Sequence, residues 1–179
     1  MVFEMMRTFN KRQFKLQEHL ERLYASIKYA RIPINMSIEE MERAFYKTIE
    51  ANEHTFDDKD EIRSLINVSR GPLYIYRHIF QGKMEPTIVI ACFPLKWVIG
   101  HMAHFYDTGV HAIIPSQRAI PAQLMEPKVK SRSRLFYQIA NLEVAQTDPD
   151  AWPLLLDPDG FIAEGTGANF FLCKDNKLY

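Results

Sequence analysis

The chain has 179 residues, enough for one ordinary domain or for parts of two. Hydrophobic residues make up 47% and charged residues 25%, a balance that excludes a disordered polar chain and a bundle of membrane spans alike. Lys+Arg and Asp+Glu are equal at 22 each, so no long-range field draws in nucleic acid or an acidic membrane surface. Cys92 and Cys173 stand far apart and outside any metal-ligand spacing, which suits free thiols in a reducing compartment. Glu4 and Arg7 interrupt the apolar core that a signal peptide needs, and a cytoplasmic location is the expectation.

Residues 2–9 alternate like a strand, and Asn10-Lys-Arg reads as a turn. Leu16, Leu20, Leu23, Ile27 and Ala30 recur at helical spacing until Pro33. Ser37-Ile-Glu-Glu40 is a capping box opening a second helix to about Asn52, with Ile38, Met41, Phe45 and Ile49 inward. Ile62–Ser69 alternates and predicts a strand, as do 73–80 and 87–93, with Gly82-Lys as the turn between the last two. Residues 94–109 carry no clear period, 110–114 read as a strand, and 115–127, rich in Pro and polar residues, read as an interdomain connection. A third helix is expected over 131–145, with Leu135, Ile139 and Leu142 on its apolar face. Leu154-Leu-Leu156, the turn Asp157-Pro-Asp-Gly160 and Phe161–Glu164 form a hairpin. The pattern is α+β: a small antiparallel domain over 1–114, the connection at 115–127, and the beginning of a larger domain over 128–179. The last residues, Ala168–Tyr179, read as a strand, a turn and the first residues of a returning strand, so a segment of something longer is expected.

Three stretches carry a specific likeness. They are Phe14-Lys-Leu-Gln-Glu-His-Leu-Glu-Arg-Leu23, Pro127-Lys-Val-Lys130-Ser-Arg-Ser-Arg-Leu-Phe-Tyr137, and Leu156-Asp-Pro-Asp-Gly-Phe-Ile-Ala-Glu-Gly-Thr-Gly-Ala-Asn-Phe170. Together they resemble the class IV aminotransferases, fold type IV enzymes that use pyridoxal 5'-phosphate. The resemblance implies that Lys130 is the Schiff-base lysine, 34 positions (164 − 130) before Glu164, the carboxylate that pairs with the pyridine nitrogen. Taken by composition alone, Lys130 is a solvated lysine beside Lys128 and Arg132, and Glu164 an exposed strand-end carboxylate.

Arg22 resembles the arginine that grips the cofactor phosphate, although Glu18, one helical turn earlier, offers it a plain surface ion pair. Thr166 and Asn169 stand in the small-residue run after Glu164, where they orient the carboxylate or the cofactor, or merely shape a tight turn. Two positions depart from the branched-chain pattern. Leu135 occupies the place of a tyrosine that bonds the cofactor's phenolic oxygen, with Arg134 and Tyr137 as substitutes; Glu61-Ile-Arg63 replaces Tyr-x-Arg. Arg63 and Arg70 are candidates for the substrate carboxylate or for ordinary strand-surface charges. His101-Met-Ala-His104 lacks a third ligand at metal spacing.

The implied activity is transamination between an amino acid, branched-chain type first, and a 2-oxo acid, by a homodimer. A D-amino acid aminotransferase and aminodeoxychorismate lyase stay open within the class. A non-catalytic fragment is the alternative from outside it. The resemblance places a second phosphate grip beyond residue 179, so weak cofactor binding is expected of the segment alone.

Overall fold

A computed structural model describes residues 1–179. The chain divides into two compact units, Met1–Ala103 with Lys128–Arg132, and His104–Pro127 with Ser133–Tyr179. The predicted connection at 115–127 thus belongs to the second unit, while the five residues after it return to the first.

In the first unit, β1 (Val2–Phe9), β2 (Arg12–Gln13), α1 (Leu16–Tyr29), α2 (Ile38–Asn52), β3 (Ile62–Ser69), β4 (Thr87–Pro94) and α3 (Lys96–Met102) follow in order. The strands form an antiparallel sheet in the order β2-β1-β3-β4. Alternation sends Val2 and Met6 of β1, and Ile66 and Val68 of β3, to one face. There they meet Leu16, Leu20, Leu23 and Ile27 of α1 and Met41 and Phe45 of α2. Each such side chain, fully buried, contributes about 1.5–3 kcal/mol. The predicted capping box forms: Glu40 N–H donates to Ser37 Oγ at 3.2 Å and Ser37 N–H to Glu40 Oε2 at 2.7 Å.

Residues 130–132 continue this sheet along the outer edge of β1. Phe3 N–H donates to Lys130 O at 3.0 Å, Arg132 N–H to Met1 O at 3.1 Å, and Val2 bridges Ser131 antiparallel. The helix expected from 131 therefore begins only at Leu135, because backbone committed to a strand edge cannot also start a helical ladder.

The strand expected at 73–80 does not form. The segment makes a 3₁₀ turn at Tyr74–Tyr76 and further local bonds, such as Ile79 N–H to Tyr76 O at 2.9 Å. β4 pairs directly with β3, so 70–86 becomes their connection, and its β-branched and aromatic residues stay in solvent. Gly71 closes the base of this loop. Its φ is +84°, and a Cβ there would lie 2.0 Å from the Glu85 carbonyl oxygen.

The second unit contains α4 (Phe105–Thr108), β5 (Ala112–Ile113), α5 (Leu135–Ala145), β6 (Trp152–Leu156), β7 (Ile162–Gly165), β8 (Cys173–Lys174) and β9 (Lys177–Leu178). β5 runs parallel to β6, and β6 pairs antiparallel with β7 through the expected Asp157–Gly160 turn. Asp175 and Asn176, both at positive φ, turn β8 into β9 as in a primed two-residue hairpin. Helix α5 buries Tyr137, Ala140 and Val144 and leaves Leu135, Ile139 and Leu142 exposed. The face expected to pack inward is thus the outer one. Both faces of the helix are apolar, and the stripe with the larger side chains is the one left in solvent. No helix is long and apolar enough to cross a membrane.

Candidate cofactor site

Of the residues singled out in the sequence, Arg22, Arg63, Arg70 and Lys130 lie in the first unit. Arg134, Tyr137, Glu164, Thr166 and Asn169 lie in the second.

Within the first unit, Lys130 and Arg22 are drawn to the same end of β1. Ser26, one helical turn beyond Arg22, presents its buried Oγ to Lys130 N–H at 3.4 Å, while Phe3 takes the Lys130 carbonyl. Strand alternation then puts Val129 against the core, and Lys130 and Arg132 over the Phe3 ring, at 5.1 and 4.5 Å from its centroid. Arg132 Nε also donates to Asn67 Oδ1 at 3.0 Å.

Arg22 does not pair with Glu18, which bonds Lys15 at 2.5 Å instead. Its partner is Glu4, a fully buried carboxylate that accepts Nε at 2.5 Å and Nη2 at 2.8 Å. His19 Nδ1 lies 2.7 Å from the same carboxylate. Burial alone would raise the Glu4 pKa. Hydrogen bonds and charge from His19 and Arg22 outweigh that and hold it below the usual glutamate value. Two N–H groups along one edge of the guanidinium are spent on Glu4, and Nη1 is left over on a side chain half in solvent. Sequence reasoning misses Glu4 as a site residue. The signal is present: a carboxylate inside Val-Phe-Glu-Met-Met, with His19 and Arg22 three positions apart on the next helix.

Arg63 stands opposite Arg7 in the β1–β3 register and lies with its guanidinium against Met5 Sδ. Burial, and then the charge of Arg132, lower its pKa. With Arg7, His19 and Phe14 it lines a small pocket of about 220 Å³. Glu61, standing where the family tyrosine is expected, caps a turn. It accepts the Thr8 hydroxyl and the Asn10 N–H, the latter at 2.7 Å. Arg70 donates to the Arg31 carbonyl just past the end of α1, a bond that serves the fold.

In the second unit, Glu164 sits on β7 opposite Leu155 and lines a cleft of about 860 Å³ with Ala119, Pro121, Ala163, Asn169 and Phe170. Tyr137 donates its hydroxyl to Glu164 Oε1. Burial first, then this bond and the carboxylate charge, raise the tyrosine pKa far above its ordinary value, so the donor proton stays on the phenol. The Arg134 guanidinium lies 5.0 Å from the Tyr137 ring centroid. Thr166 donates to Asn141 Oδ1 at 2.9 Å, tying the loop after β7 to α5. Gly165 N–H bonds Ala168 O at 3.0 Å, so the run after Glu164 is a closed turn as well as a cleft wall.

A family model described as amino-transferase class IV matches residues 1–179. The chain belongs to the class IV aminotransferases. It is 33% identical over 178 residues to a putative branched-chain-amino-acid aminotransferase of Methanocaldococcus jannaschii, covering 99% of this chain and 57% of that protein. It is 25% identical over 187 residues to the branched-chain-amino-acid aminotransferase of Escherichia coli K12, covering 99% and 56%. Among solved structures it matches the T.th. branched-chain amino acid aminotransferase complexed with N-(5'-phosphopyridoxyl)-L-glutamate, with TM-score 0.73, 26% identity and coverage of 99% and 55%. It also matches the Thermobaculum terrenum enzyme in its PLP form, with TM-score 0.75, 25% identity and coverage of 99% and 56%. These neighbours share the fold type IV architecture. The chain spans just over half the length of the relatives it matches.

Proposed function

We propose that the protein is a pyridoxal-phosphate-dependent aminotransferase that moves an amino group between a branched-chain amino acid and a 2-oxo acid, working as a homodimer. The observation that supports the reading is that the Lys130 backbone and the Arg22 guanidinium, 108 positions apart (130 − 22), both meet the first residues of β1, at Phe3 and Glu4. The names of the relatives favour the branched-chain substrate. In this reading residues 1–114 are the smaller domain and 128–179 open the larger, cofactor-binding one. The thiols Cys92 and Cys173, neither paired, suit a reducing cytoplasm.

The donor set fits the cofactor: a guanidinium edge left over from a buried carboxylate for the phosphate, a lysine amine, and a carboxylate at a cleft. When bound, the cofactor supplies an aldehyde for the amino group and a ring that accepts electrons from Cα. Arg22 binds and orients the phosphate. Lys130 would hold the aldehyde carbon at rest and, once the substrate amino group has displaced it there, its freed amine would carry the proton from substrate Cα to C4′. Glu164 keeps a proton at the ring nitrogen. Arg63, ahead of Arg70, is assigned to the substrate carboxylate. Asn169 shapes the wall beside Glu164, and Thr166 holds the loop.

Borohydride reduction at millimolar pyridoxal phosphate, followed by peptide mapping, should place one pyridoxyl group on Lys130 and leave Lys130→Ala unlabelled. Label on Lys128 would overturn the lysine assignment. Half-reactions with L-leucine, D-alanine and aminodeoxychorismate separate the branched-chain enzyme from the D-specific and lyase readings. L-leucine alone should convert the bound cofactor.

A further inference from the structure

The family tyrosine that bonds the cofactor's phenolic oxygen is replaced by Leu135, which is 74% exposed, and the nearest tyrosine stands two positions later. Two residues on a helix are about 200° of rotation, so Tyr137 projects from the opposite face to Leu135. That face is the buried one. Tyr137 is 9% exposed and packs with Ala140, Leu155, Phe136 and Ala119.

A phenol has one proton to donate, and here it goes to Glu164 Oε1. No other partner holds Glu164: the bond from Tyr137 engages one oxygen, and Oε2 makes no hydrogen bond. The carboxylate otherwise borders the cleft, on a strand whose partner residue is Leu155. A glutamate has three rotatable bonds, and a carboxylate at a cleft edge samples many orientations unless something holds it. The Tyr137 ring is locked by packing and by the Arg134 guanidinium on its face, so the hydroxyl is a fixed post.

Resting on the function proposed above, we infer that Tyr137 is a positioning residue for Glu164: it pins one carboxylate oxygen and leaves the other for the cofactor's ring nitrogen. It does not replace the missing tyrosine at the phenolic oxygen, because its only proton is already committed. This chain therefore has a support for the electron sink built from α5, at a position where the branched-chain pattern does not call for a tyrosine.

The test uses the 179-residue chain, wild type and Tyr137→Phe, titrated with three probes: pyridoxal phosphate, its 3-deoxy analogue, and its 1-deaza analogue, in which carbon replaces the ring nitrogen. Binding is read from the visible spectrum and from tryptophan fluorescence. Tyr137→Phe should weaken pyridoxal phosphate and the 3-deoxy analogue about tenfold each, and the 1-deaza analogue by less than about twofold. Equal losses on all three probes would make Tyr137 a structural residue only. A loss that disappears with the 3-deoxy analogue would put its hydroxyl on the phenolic oxygen instead. Either result overturns the inference. Each variant is compared with itself across probes, so partial unfolding cancels from the ratios.

Glu164→Gln separates failure of this inference from failure of the reading beneath it. If that variant discriminates pyridoxal phosphate from the 1-deaza analogue as the wild type does, Glu164 does not meet the ring nitrogen and the site assignment itself falls. If Glu164→Gln loses the discrimination and Tyr137→Phe keeps it, the site stands and only the role of Tyr137 is lost. Uptake of no probe by the wild type at millimolar concentration overturns both.

Discussion

The two compact units bury their apolar residues very unequally. In the first, α1 and α2 lay their stripes on one face of the sheet and eleven hydrophobic residues form a continuous buried cluster. In the second, the corresponding cluster is Tyr137, Ala140 and Leu155, while Leu135, Ile139 and Leu142 face solvent from the same helix. Amphipathic periodicity, then, finds a helix without saying which apolar face is the packed one. The contrast extends to the chemistry. The first unit holds the half-exposed Arg22 guanidinium on a buried carboxylate, and the second holds the Glu164 carboxylate on a single hydroxyl.

The comparison breaks most readily at Phe45, which is fully buried between α2 and the sheet. Phe45→Ala should cost ~3–5 kcal/mol, seen as a lower urea midpoint, through lost transfer energy and the cavity left behind. A cost below about 1 kcal/mol would show that the cluster is not what holds the first unit together. Glu4→Gln comes next, at roughly 2 kcal/mol, since Arg22 keeps part of its hydration when its partner is neutralised. Its effect depends on pH in a definite sense. The folded Glu4 pKa lies below 4.5, so its contribution is complete above about 4.5 and is lost as pH falls through the folded value. Wild type and variant should therefore differ near neutral pH and converge in acid, as followed by urea denaturation from about pH 7 to about pH 3. The smallest effect is expected at Leu142 on the outer face of α5, where Leu142→Gln should change stability by about 0.5 kcal/mol or less. A loss of several kcal/mol there would mean that this face is packed in solution, and the contrast between the units would disappear.

Much of the first unit is legible because its devices are local. The stripe of α1, the Ser37–Glu40 box and the alternation of β3 each sit within a few residues and are found where expected. The segment at 73–80 misleads for the complementary reason. Its Tyr and Ile residues satisfy strand propensity, but pairing of β4 with β3 leaves it no edge to join. The start of α5 falls later than its periodicity suggests because the residues before it are taken up by β1, far away in sequence. At the site, the motif spacing singles out Lys130, Arg22 and Glu164. The groups that hold them, Ser26, Glu4 and the Tyr137 hydroxyl on Glu164, come from other elements.

By itself the sequence determined the element types with strong short-range periods, the hairpin at Asp157–Gly160, and the likeness to the class IV aminotransferases. Only the tertiary structure decided which face of α5 is inner, that residues 130–132 extend a sheet, and that Arg22 belongs to Glu4 and not to Glu18. The physical reason is range. Propensity, capping and turn geometry act over a few residues, whereas strand-edge pairing and the choice of a buried ion partner depend on which distant segments lie side by side in the folded chain.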